Sequence, residues 1–190
     1  ESVFGGGVGC GFAVGSGSLP VRERVVAFDP RDHARTKVFD ASALYAALHA
    51  DLRFSGGALN IEGAAVLGHE LCLFQRGNGE GESLAPAMAT VDVQRFISWI
   101  EGGGEVPVVT RVLRFDLGSI DGVRLGFTDA CACDGAVYFL ASAEGSPNTV
   151  DDGGVTGSCV GVLCGDEARI TRLLDEKGEA AALKAEGIAI

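Results

Sequence analysis

The stretch 59-LNIEGAAVLGHELCLFQRGNG-79 has the pattern of two β-strands joined by a tight turn. Apolar residues fill both runs, and Gly68, His69 and Glu70 sit between them at hairpin distance. One residue does not fit: Glu62 stands at the head of a run that is expected to be buried. The rest of the chain explains the position of Glu62, because an acidic residue recurs at the same point of three other segments.

Four segments share one form: an acidic residue, a small apolar run, a turn with glycine, a second apolar run and a polar loop. They are 1-ESVFGGGVGCGFAVGSGS-18, 61-IEGAAVLGHELCLFQRGN-78, 128-TDACACDGAVYFLASAEG-145 and the shorter 185-AEGIAI-190. The acids are Glu1, Glu62, Asp129 and Glu186, which lie 61, 67 and 57 residues apart. This spacing is close to one period and indicates an internal repeat.

Each period has room for four strands. After Glu62 we expect strands near 61–67, 71–76, 87–93 and 108–117, and after Asp129 near 125–133, 136–143, 157–164 and 168–174. Helical patterns at 41–52 and 94–103 interrupt them. Four antiparallel strands on this period predict an all-β fold, a β-propeller of four-stranded antiparallel blades. The blades are expected at 1–58, 59–124 and 125–182, and the first strand of another at 183–190, in one domain that is incomplete at both ends.

The propeller geometry places the repeated acids together. First strands line the channel, so Glu1, Glu62, Asp129 and Glu186 are expected on one rim. The loops that follow the second strands lie on the same face. Candidate ligand-contacting residues on this rim are Ser16, Arg22, Asn60, Arg76, Asn78, Glu144 and Lys184.

A ring of carboxylates in a narrow channel repels itself and raises its own pKa values unless positive charge offsets it. The sequence offers two alternative sources of positive charge. Arg76, Arg22 and Lys184 can pair with the acids, or Ca²⁺ or another divalent cation can bind to carboxylates, Asn60, Asn78 and backbone carbonyls.

Composition limits the partners. The net charge of −11 argues against nucleic acid and anionic membranes, and small, cationic or metal-bridged ligands fit it better. The cysteines have no zinc or redox spacing and are interpreted as core residues, with a cytoplasmic location expected from their use. They are Cys10, Cys72, Cys131, Cys133, Cys159 and Cys164.

The runs at 12–23, 40–79, 112–130 and 139–158 carry a family resemblance. They resemble an uncharacterised bacterial family of β-propeller proteins, which is itself similar to esterase-like phytase propeller domains. The resemblance covers nearly the whole chain, and it implies a longer propeller without an established activity. More distantly, EGA at 62–64 and EGI at 186–188 resemble the channel-side Glu-Gly element of gluconolactonase-type propellers, in which the glutamate binds a divalent metal.

Two functions from different classes remain. The first is a metal-assisted hydrolase of an ester, lactone or phosphoester, with carboxylates as metal ligands or general base and Arg76 or Arg22 stabilising an oxyanion. The second is a non-catalytic propeller that binds a small ligand or a protein partner on the same face. Seryl hydrolysis is not favoured, because the sequence has no GxSxG and its three histidines lie away from the predicted rim.

Overall fold

The computed structural model describes residues 11–77, 84–145 and 153–190, and strands dominate these parts of the chain. The strands are β1 (Gly11–Val14), β2 (Arg24–Asp29), β3 (Asp32–Asp40), β4 (Ile61–Leu67), β5 (Glu70–Gln75), β6 (Ala87–Asp92), β7 (Val109–Arg114), β8 (Ser119–Ile120), β9 (Val123–Cys133), β10 (Ala136–Gly145), β11 (Gly154–Cys164) and β12 (Glu167–Arg172). The helices are α1 (Ser42–Ala50), α2 (Leu52–Ser55) and α3 (Val93–Ile100). The helical patterns in the sequence therefore correspond to short helices, the first of them broken in two.

The strands form three antiparallel sheets that follow one another along the chain. The first sheet has the order β1-β2-β3, the second β4-β5-β6-β7 and the third β12-β11-β10-β9-β8. Every strand pairing is antiparallel. The prediction of an all-β antiparallel protein is confirmed. The second sheet has the four expected strands, whereas the third has five because the short β8 pairs with β9.

Two hairpins of the third sheet turn on Asp-Gly pairs. Asp121 and Gly122 have φ of 51° and 79°, and Asp134 and Gly135 have φ of 50° and 78°. Positive φ at both central residues is the conformation of a two-residue turn whose twist matches that of the flanking strands. Aspartate followed by glycine is the pair best suited to it, so these dipeptides fix where the strands reverse.

The second sheet is buried on both faces. Along β5, Leu71 and Leu73 join an apolar cluster with the first sheet and the helices. Cys72 and Phe74 alternate with them and join a second cluster with the third sheet. Successive side chains of a strand point to opposite faces, so the continuous apolar run ELCLF is the pattern of a strand covered on both sides.

Phe127 of β9 occupies the centre of the second cluster and is fully buried. Its ring lies 5.1 Å from that of Phe74, 5.6 Å from that of Phe115 and 5.0 Å from that of Phe139, all edge to face. Such aromatic pairs contribute about 0.5–1.5 kcal/mol each beyond the burial of their area. They join the second and third sheets.

Strand β4, the first strand of the second sheet, packs beside β9 of the third sheet. At Gly63 of β4, a Cβ atom would lie only 2.9 Å from the backbone nitrogen of Ala130 in β9. Glycine therefore lets the two backbones approach. This contact brings the beginning of β4 close to the middle of β9, where the candidate site lies.

Residues 183–190 form neither a helix nor a strand. Instead they are attached to the third sheet by side chains. The Ser158 hydroxyl donates to the Leu183 carbonyl at 2.6 Å, and the Asp129 carboxylate accepts from the Ile188 amide at 2.9 Å. Among the described residues, no helix has both the length and the apolar character needed to span a membrane.

Candidate functional site

Arg76 directly follows β5, and its surroundings fix it in place. It is only 4 % exposed, and its amide donates to the Asn60 carbonyl at 2.9 Å. On its other side lies Gly126 of β9, where a Cβ atom would come within 2.6 Å of the Arg76 carbonyl oxygen and 2.9 Å of its Cγ. The missing side chain at Gly126 gives Arg76 its space.

The guanidinium of Arg76 belongs to a chain of charged groups. Its Nη2 donates to Oε2 of Glu144, and its Nη1 lies 3.6 Å from Oε1 of Glu62. The ammonium of Lys184 lies 3.3 Å from the same Glu144 oxygen and 2.7 Å from Oε1 of Glu186. We call Glu62, Arg76, Glu144, Lys184 and Glu186 the rim network. It joins β4, the end of β5, β10 and the segment 183–190.

Glu144 is the anchor of the rim network. Its side chain is 1 % exposed, and its second oxygen accepts from the Gly153 amide at 2.7 Å. Burial opposes its ionisation, but the Gly153 amide, Arg76 and Lys184 together outweigh burial and hold the pKa of Glu144 below its ordinary value. Glu144 is therefore a carboxylate at neutral pH.

Glu62 differs from Glu144 although both contact Arg76. Burial raises the pKa of Glu62, and the charges of Arg76 and Lys184 and a hydrogen bond from Asn60 offset this only in part. Its side chain is 27 % exposed. Glu62 is thus the incompletely compensated carboxylate of the network, and solvent can reach it.

Asp129, the expected counterpart of Glu62, lies outside the rim network. Its two oxygens accept from the Ala130 amide at 2.8 Å and the Ile188 amide at 2.9 Å. The strand registers explain the difference. Glu62 is the unpaired residue of a bulge between β4 and β5, and the unpaired residue of the equivalent bulge between β9 and β10 is Thr128. By register, Asp129 therefore matches Gly63.

The other predicted residues are placed as follows. Arg22 is exposed and donates to the Ser18 hydroxyl at 3.1 Å, so it takes no part in the rim network. The Ser16 carbonyl accepts from the Ile61 amide at 2.8 Å, which places Ser16 beside the start of β4. Glu1 and Asn78 lie outside the described residues.

Gln75 is a site residue that the sequence did not reveal. It is 1 % exposed. Its amide oxygen accepts from the Asn60 amide at 2.7 Å, and its amide nitrogen donates to the Ala58 carbonyl at 2.6 Å. Gln75 thereby fixes the backbone that leads into Glu62. The available signal was a glutamine at the end of the buried run LCLFQ.

Within ranges 11–77, 84–145 and 153–190, no group of three or more histidine, cysteine, aspartate or glutamate side chains is arranged to hold a metal. The described cysteines are free thiols, namely Cys72, Cys131, Cys133, Cys159 and Cys164. Burial raises the pKa of the Cys72 thiol to about 11, which suits a packing residue and not a reactive one.

The fold and the rim network define an all-β protein of stacked antiparallel sheets with a partly buried chain of ion pairs between them. Residues 4–190 match the family of unknown function DUF6910, and the chain belongs to this family. The match agrees with the expected uncharacterised family and brings no propeller or phytase-like assignment. No curated protein matches the chain.

Proposed function

We propose that this chain is a section of a β-propeller and that the rim network binds a small organic cation without catalysis. The propeller is supported by three antiparallel sheets in chain order and by the contact between β4 and β9, the first strands of two repeats. First strands that pack side by side are the arrangement around a propeller channel.

The observation that carries the cation proposal is the charge balance of the rim network. Three carboxylates, those of Glu62, Glu144 and Glu186, face two cations, Arg76 and Lys184. Arg76 also lies closer to Glu144 than to Glu62, so the excess negative charge rests on Glu62. An ammonium or guanidinium group at Glu62 would balance it, in a molecule whose net charge of −11 attracts cations.

Binding to Glu62 is coupled to its proton. The pKa of Glu62 is raised in the free protein, and a bound cation favours the ionised form. We therefore expect the cation to lower this pKa and to displace a proton from the fraction of molecules that are protonated at Glu62. Affinity then falls as the pH decreases through the raised pKa.

The test is a titration with spermidine, with CaCl₂ and MnCl₂ added separately at matched ionic strength, followed by thermal melting. A ligand at one hundred times its Kd stabilises the folded state by about 2.7 kcal/mol, which raises the Tm of a domain of this size by about 5–10 °C. We expect a saturable increase with spermidine in the wild type and its loss in Glu62→Gln.

Glu105→Gln is the matched control, because Glu105 is an exposed glutamate outside the rim network. It should keep the full spermidine response. If spermidine leaves the Tm of the wild type unchanged, or if Glu62→Gln responds as strongly as the control, the cation proposal is wrong.

Metal-assisted hydrolysis of an ester, lactone or phosphoester is the second candidate. One observation favours it: Glu62 is partly exposed and has a raised pKa, as a general acid or base often has. In this proposal Glu62 and Glu186, the two solvent-accessible carboxylates of the rim network, supply oxygen ligands to Ca²⁺ or another divalent cation. Arg76 is too deeply buried to contact a substrate oxyanion and instead orients Glu62.

Hydrolysis of 4-nitrophenyl acetate, 4-nitrophenyl phosphate and gluconolactone, each with and without Ca²⁺ or Mn²⁺, tests this second candidate. Metal-dependent turnover that disappears in Glu62→Gln but persists in Glu105→Gln would replace the non-catalytic proposal. A Tm increase with metal that Glu62→Gln abolishes would support the metal site independently of turnover.

A further inference from the structure

We draw no further inference here: the strongest candidate, the apolar groove that Tyr138, Val160 and Val162 line on the outer face of the third sheet, carries nothing, because nothing in the part of the chain that the structure describes shows what covers it.

Discussion

Replacing Glu144 by Gln tests the central electrostatic argument about the rim network. The substitution keeps the size of the side chain and removes its negative charge. Arg76 is 4 % exposed, and among the residues that the structure describes it then keeps only Glu62 as a charged partner, at 3.6 Å. Lys184 loses its contact with Glu144 but keeps its contact with Glu186.

The size of the effect follows from burial. Removing one partner of a buried ion pair costs about 3–5 kcal/mol, because the remaining charge stays buried without full compensation. Glu62 continues to offset part of the Arg76 charge, so we expect the lower end, about 3 kcal/mol of unfolding free energy. For a chain of this length, this corresponds to a Tm that is lower by about 6–12 °C.

Urea unfolding followed by the fluorescence of Trp99, the single tryptophan, measures this difference. Glu62→Gln is the informative comparison. Because burial raises the pKa of Glu62, its charge disfavours folding, and its removal should cost much less than that of Glu144. A loss below about 1 kcal/mol for Glu144→Gln, or an equal loss for both variants, would refute the assignment of Glu144 as the anchor.

The loss of unfolding free energy in Glu144→Gln should also depend on pH. The pKa of Glu144 is lowered in the folded state, so its charge stabilises the fold at pH values above the pKa of an unfolded glutamate. This contribution is lost as the pH falls through the lowered pKa. The difference between wild type and Glu144→Gln should therefore be full at pH 7 and shrink on acidification.

Three further substitutions test the packing around the site. Gly126→Ala places a methyl carbon 2.6 Å from a backbone carbonyl oxygen and should cost about 1–3 kcal/mol in urea unfolding, whereas Gly154→Ala, which has no described atom within 4 Å of its Cβ position, should be nearly neutral. Phe127→Ala empties the centre of the second cluster and should cost about 3–5 kcal/mol by the same measurement, and a cost below about 1 kcal/mol would contradict its central place. Asp129→Ala removes the acceptor of the Ile188 amide, so that amide should exchange with deuterium faster than in wild type, and unchanged protection would show that other contacts hold the segment.

The strands were predictable because their signals are local. Apolar runs separated by Gly68 and by Asp134 and Gly135 specify where the chain turns, and these turns lie where the sequence places them. The continuous run ELCLF also indicates a strand covered on both faces. How many strands a sheet contains depends on partners that are distant in sequence, so β8 was not predicted.

The charged site was less predictable, because it depends on side chains from four separate elements. The sequence names Arg76, Lys184 and Glu144 as rim candidates, but it contains no signal that Glu144 is buried and holds both cations. Gln75 is similar, because its role depends on backbone groups that reach it only after the chain has folded.

The different roles of Glu62 and Asp129 follow from one residue of register. Glu62 is the unpaired residue of its bulge. Asp129 follows the unpaired residue of the other bulge, Thr128, and is itself paired with Leu140. Because side chains alternate along a strand, a shift of one residue moves a carboxylate to a different face. Glu62 therefore reaches Arg76, while Asp129 reaches the Ile188 amide. The recurrence of acidic residues in the sequence does not by itself distinguish Glu62 from Asp129. The position of each bulge depends on pairing with a second strand, β5 for Glu62 and β10 for Asp129. The cation proposal accordingly depends on Glu62 and not on a ring of equivalent acids.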